Sequence, residues 1–212
     1  MRKSEVAIII IILVSIIISF IIYPQMPEKV ASHWNARGEV DGYMTRFWGV
    51  FLMPIMSIAL FLLLVFLPRI DPLKANIDKF RKHFDGFLVL FFVFLFYIYM
   101  LTLAWNIGIR FDMGRFIVPA IAILFFFIGI LVENAKRNWF IGIRTPWTLS
   151  SAKVWDRTHK RGGRLFKIAA VIAFFGVFFP DYSVWMVLIP ILLVSVYTIV
   201  YSYLEFKKEK KK

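Results

Sequence analysis

Cysteine is absent from the 212 residues. That removes disulfides, thiolate metal sites and cysteine nucleophiles at once. Acid is scarce: 13 Asp and Glu stand against 26 Lys and Arg, a formal net charge of +13. The middles of the long apolar runs contain no Asp, Glu, His, Lys or Arg. Proton- and ion-coupled carriers usually place such a group near the membrane midplane. Intramembrane proteolysis needs paired Asp, a Ser with a His, or a metal cluster, and none can be assembled at depth here. Any chemistry therefore belongs to the loops, and no Ser–His–Asp set or Gly-rich phosphate loop with its Lys occurs there. No small-x-small cleavage site follows the first apolar run; Tyr23-Pro24-Gln25-Met26-Pro27 comes instead. That run is expected to be a retained first span.

Apolar residues make up 60% of the chain and charged residues 18%, with a mean hydropathy of +0.75. A soluble domain would hold about 45–50% apolar and about 25% charged residues. Several runs approach the ~18 residues that span a bilayer, and they lack the alternation of a transmembrane barrel. The expected fold class is all-α, a polytopic helical membrane protein of about six transmembrane helices. The spans are placed at Val6–Tyr23, Phe47–Leu67, Phe87–Trp105, Phe116–Val132, Leu165–Phe179 and Val184–Leu204. Alternate connections carry 21 Lys and Arg on one side and 5 on the other. The positive-inside rule then puts both termini in the cytoplasm, N-in and C-in, of a multi-pass cell-membrane protein. The basic excess is thereby assigned to topology and not to direct nucleic-acid binding. Trp48, Trp105, Trp139 and Trp185 fall near span ends, as an aromatic belt requires.

Two polar stretches remain. The outer one, 24–46, is punctuated by Pro24, Pro27, Gly38 and Gly42. Asp41-Gly42 is a turn signal and 35–38 a second one. At 23 residues it is long for a hairpin connection, and such loops tend to be functional or disordered. Trp34 and Tyr43 favour a folded loop lying on the membrane surface. His33 with Asp41 or Glu39 is a weak metal set, without zinc spacing. The alternative is a His33 hydrogen-bonded within the loop.

The inner stretch, 138–164, holds three of the seven Trp. Its first part, 138–147, is expected to be extended or turning, since Gly142 permits unusual angles and Pro146 keeps Thr145 out of the helical region. Thr148, Ser150 and Ser151 offer an N-cap before Ala152. A short amphipathic helix is expected to run to Arg161 and stop at Gly162-Gly163. Lys153, Arg157, Lys160 and Arg161 form a basic stripe opposite Val154, Trp155, Thr158 and His159, the pattern of an interfacial or partner-docking helix. His159 with Asp156 is an i, i+3 pair that could relay a proton or serve structure.

At these residues the chain resembles the SdpI family of membrane proteins. The likeness is carried by Gly142-Ile143-Arg144-Thr145-Pro146-Trp147-Thr148-Leu149-Ser150, Val154-Trp155, Thr158-His159 and Gly162-Gly163. The outer loop is similar to a small uncharacterised domain often found ahead of it, through His33-Trp34-Asn35, Gly38 and Asp41-Gly42-Tyr43. The resemblance implies immunity to a secreted peptide toxin, together with retention of a small cytosolic repressor at the membrane. It divides the chain into 1–68, a helix pair with loop 24–46, and 69–212, a four-helix region with cytoplasmic loop 133–167.

The resulting expectation is a non-enzymatic immunity and signal-transducing protein. Its partner-binding residues inside are Asn138, Trp139, Arg144, Thr145, Trp147, Trp155, Arg157, His159 and Arg161. Its toxin-binding residues outside are His33, Trp34, Asn35, Asp41 and Tyr43. No cofactor and no catalytic residue are expected; the partners are membrane lipid, a peptide toxin and a cytosolic repressor. Two alternatives stand beside it. One is a membrane-surface enzyme acting on lipid or peptide, using His159 with Asp156 or a metal on His33 and Asp41. The other is a lipid or small-molecule carrier.

Overall fold

A computed structural model describes residues 1–211. The chain runs α1 (Lys3–Ile22), β1 (Lys29–Trp34), β2 (Val40–Thr45), α2 (Arg46–Ile70), α3 (Lys74–Asp78), α4 (Arg81–Asn106), α5 (Met113–Asn134), α6 (Pro146–Ser150), α7 (Ala152–Phe175) and α8 (Ser183–Lys210). Short 3-10 turns follow α1 and α7. Five helices, α1, α2, α4, α5 and α8, are long and apolar enough to cross a membrane. Large side chains on them point outward, among them Phe20 (67% exposed), Leu62 (62%) and Leu193 (65%). In water such a surface would be untenable; in a bilayer it is the lipid contact. The protein is a multi-pass helical membrane protein.

The fifth expected span takes a different form. Gly162 and Gly163 do not stop a helix; α7 runs unbroken through both. The amphipathic inner helix and the fifth expected span are one rod, polar first and apolar later. Close packing explains the glycines. A Cβ on Gly163 would lie 2.6 Å from the Gly129 carbonyl oxygen, and one on Gly129 would lie 2.7 Å from that of Gly163. This pair brings the backbones of α5 and α7 together, as small residues do in membrane helix crossings.

One apolar core joins α1 to α4 through Ile8, Ile12, Phe84, Leu88 and Phe92, and continues to Trp155. Within the bundle the Ser19 and Tyr99 hydroxyls meet at 2.6 Å, linking α1 to α4. The connections segregate by end. The β1–β2 hairpin is bonded to Asn106 at the end of α4, whereas residues 137–139 are bonded to Asp71 and Asn76, before α4 begins. The loops 24–46 and 135–151 therefore lie at opposite ends of the bundle.

Candidate functional site: an outer hairpin and an inner cap

The outer loop is a two-stranded antiparallel hairpin pairing Lys29 with Thr45, Ala31 with Tyr43 and Trp34 with Val40. Its turn lies at 35–39, where Gly38 takes φ +76. Asn35 organises it: its side-chain oxygen accepts from the Arg37 and Glu39 N–H groups at 2.8 and 3.1 Å, and its amide donates to Glu39 at 2.9 Å. That hydrogen bond, with Arg37 alongside, lowers the Glu39 carboxyl below its ordinary value. Asp41-Gly42, expected as a turn, instead lies within β2 opposite His33. A Cβ on Gly42 would be 2.9 Å from that of His33, so the glycine admits the close approach at an irregular register.

His33 and Asp41 are bonded through Nδ1 at 2.5 Å, both exposed. Among the described residues no third His or acid joins them in a metal-sized cluster. Trp34 packs edge-on against Trp105, and the Arg110 guanidinium lies over the Trp105 ring at 3.5 Å. Tyr43 stands 59% exposed. Underneath the hairpin is an apolar cavity of 350 Å³, lined by Trp34, Met44, Trp48, Met53, Met56 and Ile98. Beside the turn, a more polar cleft of 590 Å³ runs between Arg37, Asp112, Arg115, Asp181 and Trp185. Asn106, not anticipated from sequence, pins the hairpin: it accepts from the Ala31 N–H at 2.8 Å and donates to the Ala31 carbonyl at 2.9 Å.

The inner cap is built differently. Asn138 is fully buried and makes four hydrogen bonds, from its amide to the Lys136 and Ile141 carbonyls and to its oxygen from the Phe140 and Ile141 N–H groups. Thr145 caps α6 through Thr148 and reaches the Ser202 hydroxyl of α8 at 3.0 Å. Ser151 caps α7, accepting from the Val154 N–H. Trp155 is buried among protein side chains, with no exposure, and its indole donates to the Ala135 carbonyl at 2.8 Å. The sequence pattern suggests an indole on an interfacial or partner-docking face; the cap folds over it instead.

His159 stacks on Trp155 with ring centres 3.8 Å apart. Its Nε2 accepts from the Ile143 N–H at 2.9 Å, and its Nδ1 lies 2.9 Å from the Trp155 carbonyl, an acceptor. Both contacts are satisfied together only by a neutral ring with the proton on Nδ1. Burial pushes its pKa down to about 4, against a smaller upward pull from the Trp155 carbonyl. The His159–Asp156 relay does not form: both ring nitrogens are occupied, and exposed Asp156 faces Lys136 at 3.9 Å. Gly142 closes over the ring at φ +115; a Cβ there would lie 2.5 Å from Nε2.

Of the nine residues expected to bind a partner inside, Asn138, Thr145, Trp155 and His159 are thus interior. Trp147 is half-buried against Tyr203. Arg157 is exposed but tied to Glu205 at 2.6 Å, and Arg161 lies over Tyr197 and Tyr201. Trp139, half exposed, and Arg144, which donates to the Trp139 carbonyl at 2.9 Å, form the outward face. Sequence reasoning missed Asp71. Buried at 2% exposure, it accepts from the Leu73 N–H at 2.7 Å and the Trp139 N–H at 2.8 Å, tying the cap to the α2–α3 connection. A lone acid beside Pro72 at a span end was the available signal.

Comparisons with known proteins find two family matches and one relative. Residues 10–58 match the Domain of unknown function (DUF1648), and residues 134–202 match the SdpI/YfhL protein family. The Immunity protein SdpI of Bacillus subtilis (strain 168) is 23% identical over 209 residues, which cover 98% of either chain. No solved structure matches.

Proposed function

Given that this membrane protein carries an SdpI-family region behind a DUF1648 domain, we propose that it gives its cell immunity to a secreted, membrane-active peptide toxin and passes word of that toxin inward. The observation that carries this is the similarity to an immunity protein along practically the whole of both chains, hairpin and cap included. The geometry is compatible with the division of labour. Outside, His33, Asp41 and Tyr43 are exposed beside two cavities that a peptide could enter. Inside, Trp139 and Arg144 form a small rigid knob on which a cytosolic repressor would dock. The arginine's single bond to the Trp139 carbonyl leaves most of its donor fork for a carboxylate.

Expression in a toxin-sensitive host tests the first half. Survival against the peptide should rise with the wild-type chain and fall back with His33→Ala/Tyr43→Ala; no gain against a panel of membrane-active peptides refutes immunity. Pull-down of cytosolic proteins after peptide challenge tests the second. A captured repressor should be lost in Arg144→Lys, which keeps charge but not the planar fork; capture that is indifferent to Arg144 and Trp139 refutes docking at the knob.

A further inference from the structure

The basic face of α7 does not end at the cap. Arg157, Arg161, Arg164 and Ile168 follow one another at spacings of four, three and four, and Lys160 stands three after Arg157 and four before Arg164, so they share one side of the helix. With Leu165, and with Tyr201 opposite on α8, they line a groove of 460 Å³. The groove changes character along its length. Its first part is cationic; its last part, Leu165 and the 57% exposed Ile168, is apolar. That change falls where α7 passes from the cap into the membrane span.

Two of the four cations are already matched: Arg157 to Glu205 at 2.6 Å and Arg164 to Glu133 at 3.5 Å. Lys160 and Arg161 meet no carboxylate within 4.0 Å among the described residues. Arg161 is held in place without being neutralised. Its guanidinium lies 5.5 and 5.2 Å from the Tyr197 and Tyr201 rings, which stack on each other. An arginine fixed by aromatic faces keeps its N–H donors for an anion in its plane.

We propose that this groove holds one anionic phospholipid of the cytoplasmic leaflet, with the headgroup phosphate between Lys160 and Arg161 and an acyl chain along Leu165 and Ile168. A phospholipid alone uses both parts of the groove. A soluble phosphate or an acidic peptide would engage the cations and leave the apolar part uncovered. The site lies on the α8 side of α7 and goes beyond the immunity function; a failure of either leaves the other standing.

Native mass spectrometry of the detergent-purified protein, titrated with phosphatidylglycerol or phosphatidylcholine, tests the proposal. One phosphatidylglycerol should be retained about tenfold more tightly than phosphatidylcholine. Lys160→Gln/Arg161→Gln should abolish that preference with an unchanged circular dichroism spectrum. Should the double variant not fold, exposed Lys160→Gln alone should reduce the preference, and Arg161→Lys with it. Equal retention of the two lipids, or an undiminished preference in the variants, overturns the site. So does displacement of the lipid by glycerol phosphate at equal concentration, which would mark a soluble-phosphate site. Binding of oligoglutamate at Lys160 and Arg161 with no lipid retained would mark a protein-docking site and overturn it equally.

Discussion

The two polar ends of this protein look alike in sequence and differ in kind. Both mix Trp, His, Asn and Gly in short motifs. In the inner cap those residues face one another: Asn138, Trp155 and His159 are buried, and the polar atoms of their side chains are bonded to the cap's own backbone. In the outer hairpin His33, Asp41 and Tyr43 face outward, and one asparagine from another helix fastens the strands. A motif of this composition therefore does not mark a binding surface by itself. Inside it specifies a fold; outside it leaves His33, Asp41 and Tyr43 at the surface.

The comparison breaks first at Gly142. Valine there faces two conflicts at once: a backbone at φ +115 and the His159 ring 2.5 Å from its Cβ. Gly142→Val should destabilise the cap by about 4 kcal/mol, at the upper end for single substitutions. Trp155→Ala should cost about 3–5 kcal/mol through the cavity it leaves and the unpaired Ala135 carbonyl. Limited proteolysis should find new cleavage within 135–151 in both variants. A cap as resistant as wild type would mean that its interior is far less tightly packed than the burial of Trp155 indicates.

Protonation should loosen the cap next. The unfolded chain takes up a proton on His159 near pH 6.5, but the folded one resists until about pH 4. In that window the unfolded state binds more protons, so stability rises with pH. The full contribution is present above pH 6.5 and is lost as pH falls to about 4, on the order of 3 kcal/mol in all. His159→Asn should flatten the dependence of the cap's melting temperature on pH between those limits.

Most of the bundle was legible in the sequence, because apolar runs are long and lipid tolerates few exceptions. The N-cap at Ser151 was legible too, from a hydroxyl standing before a periodic run. Gly162-Gly163 misled, since the same residue pair that ends a helix in water permits close helix crossing in a membrane. Trp155 and His159 misled for a related reason. Periodicity puts them on one face of α7, but only the folding of 138–148 over that face decides that they are interior. The partners that fasten the ends, Asp71, Asn106 and Glu205, lie 68, 75 and 48 residues from what they hold, beyond any local pattern.

A smaller effect is expected at Asn106. Alanine there leaves the Ala31 N–H and carbonyl without their partner, and should weaken the hairpin's attachment by about 1–3 kcal/mol. Hydrogen exchange should rise at 29–34 and 40–45 while the cap is untouched. Equal loosening at both ends would show that hairpin and cap unfold together, and the contrast between them would lose its force.

The least effect on stability belongs to His33 and Tyr43, and that is what makes them informative. Both are exposed; His33 has one side-chain partner, Asp41, in a solvent-exposed pair that contributes little to folding. His33→Ala and Tyr43→Ala should each change the melting temperature by no more than ~0.5 kcal/mol would produce. Replacing a side chain that recognises a ligand costs function without costing the fold. Survival of toxin-challenged cells should therefore drop for these variants while protein levels hold. The inner variants should show the reverse order, falling protein levels first and survival only as a consequence. If His33→Ala and Tyr43→Ala protect as well as wild type at equal abundance, recognition lies instead in the cleft between Arg37, Asp112 and Trp185, where the hairpin turn meets α5 and α8.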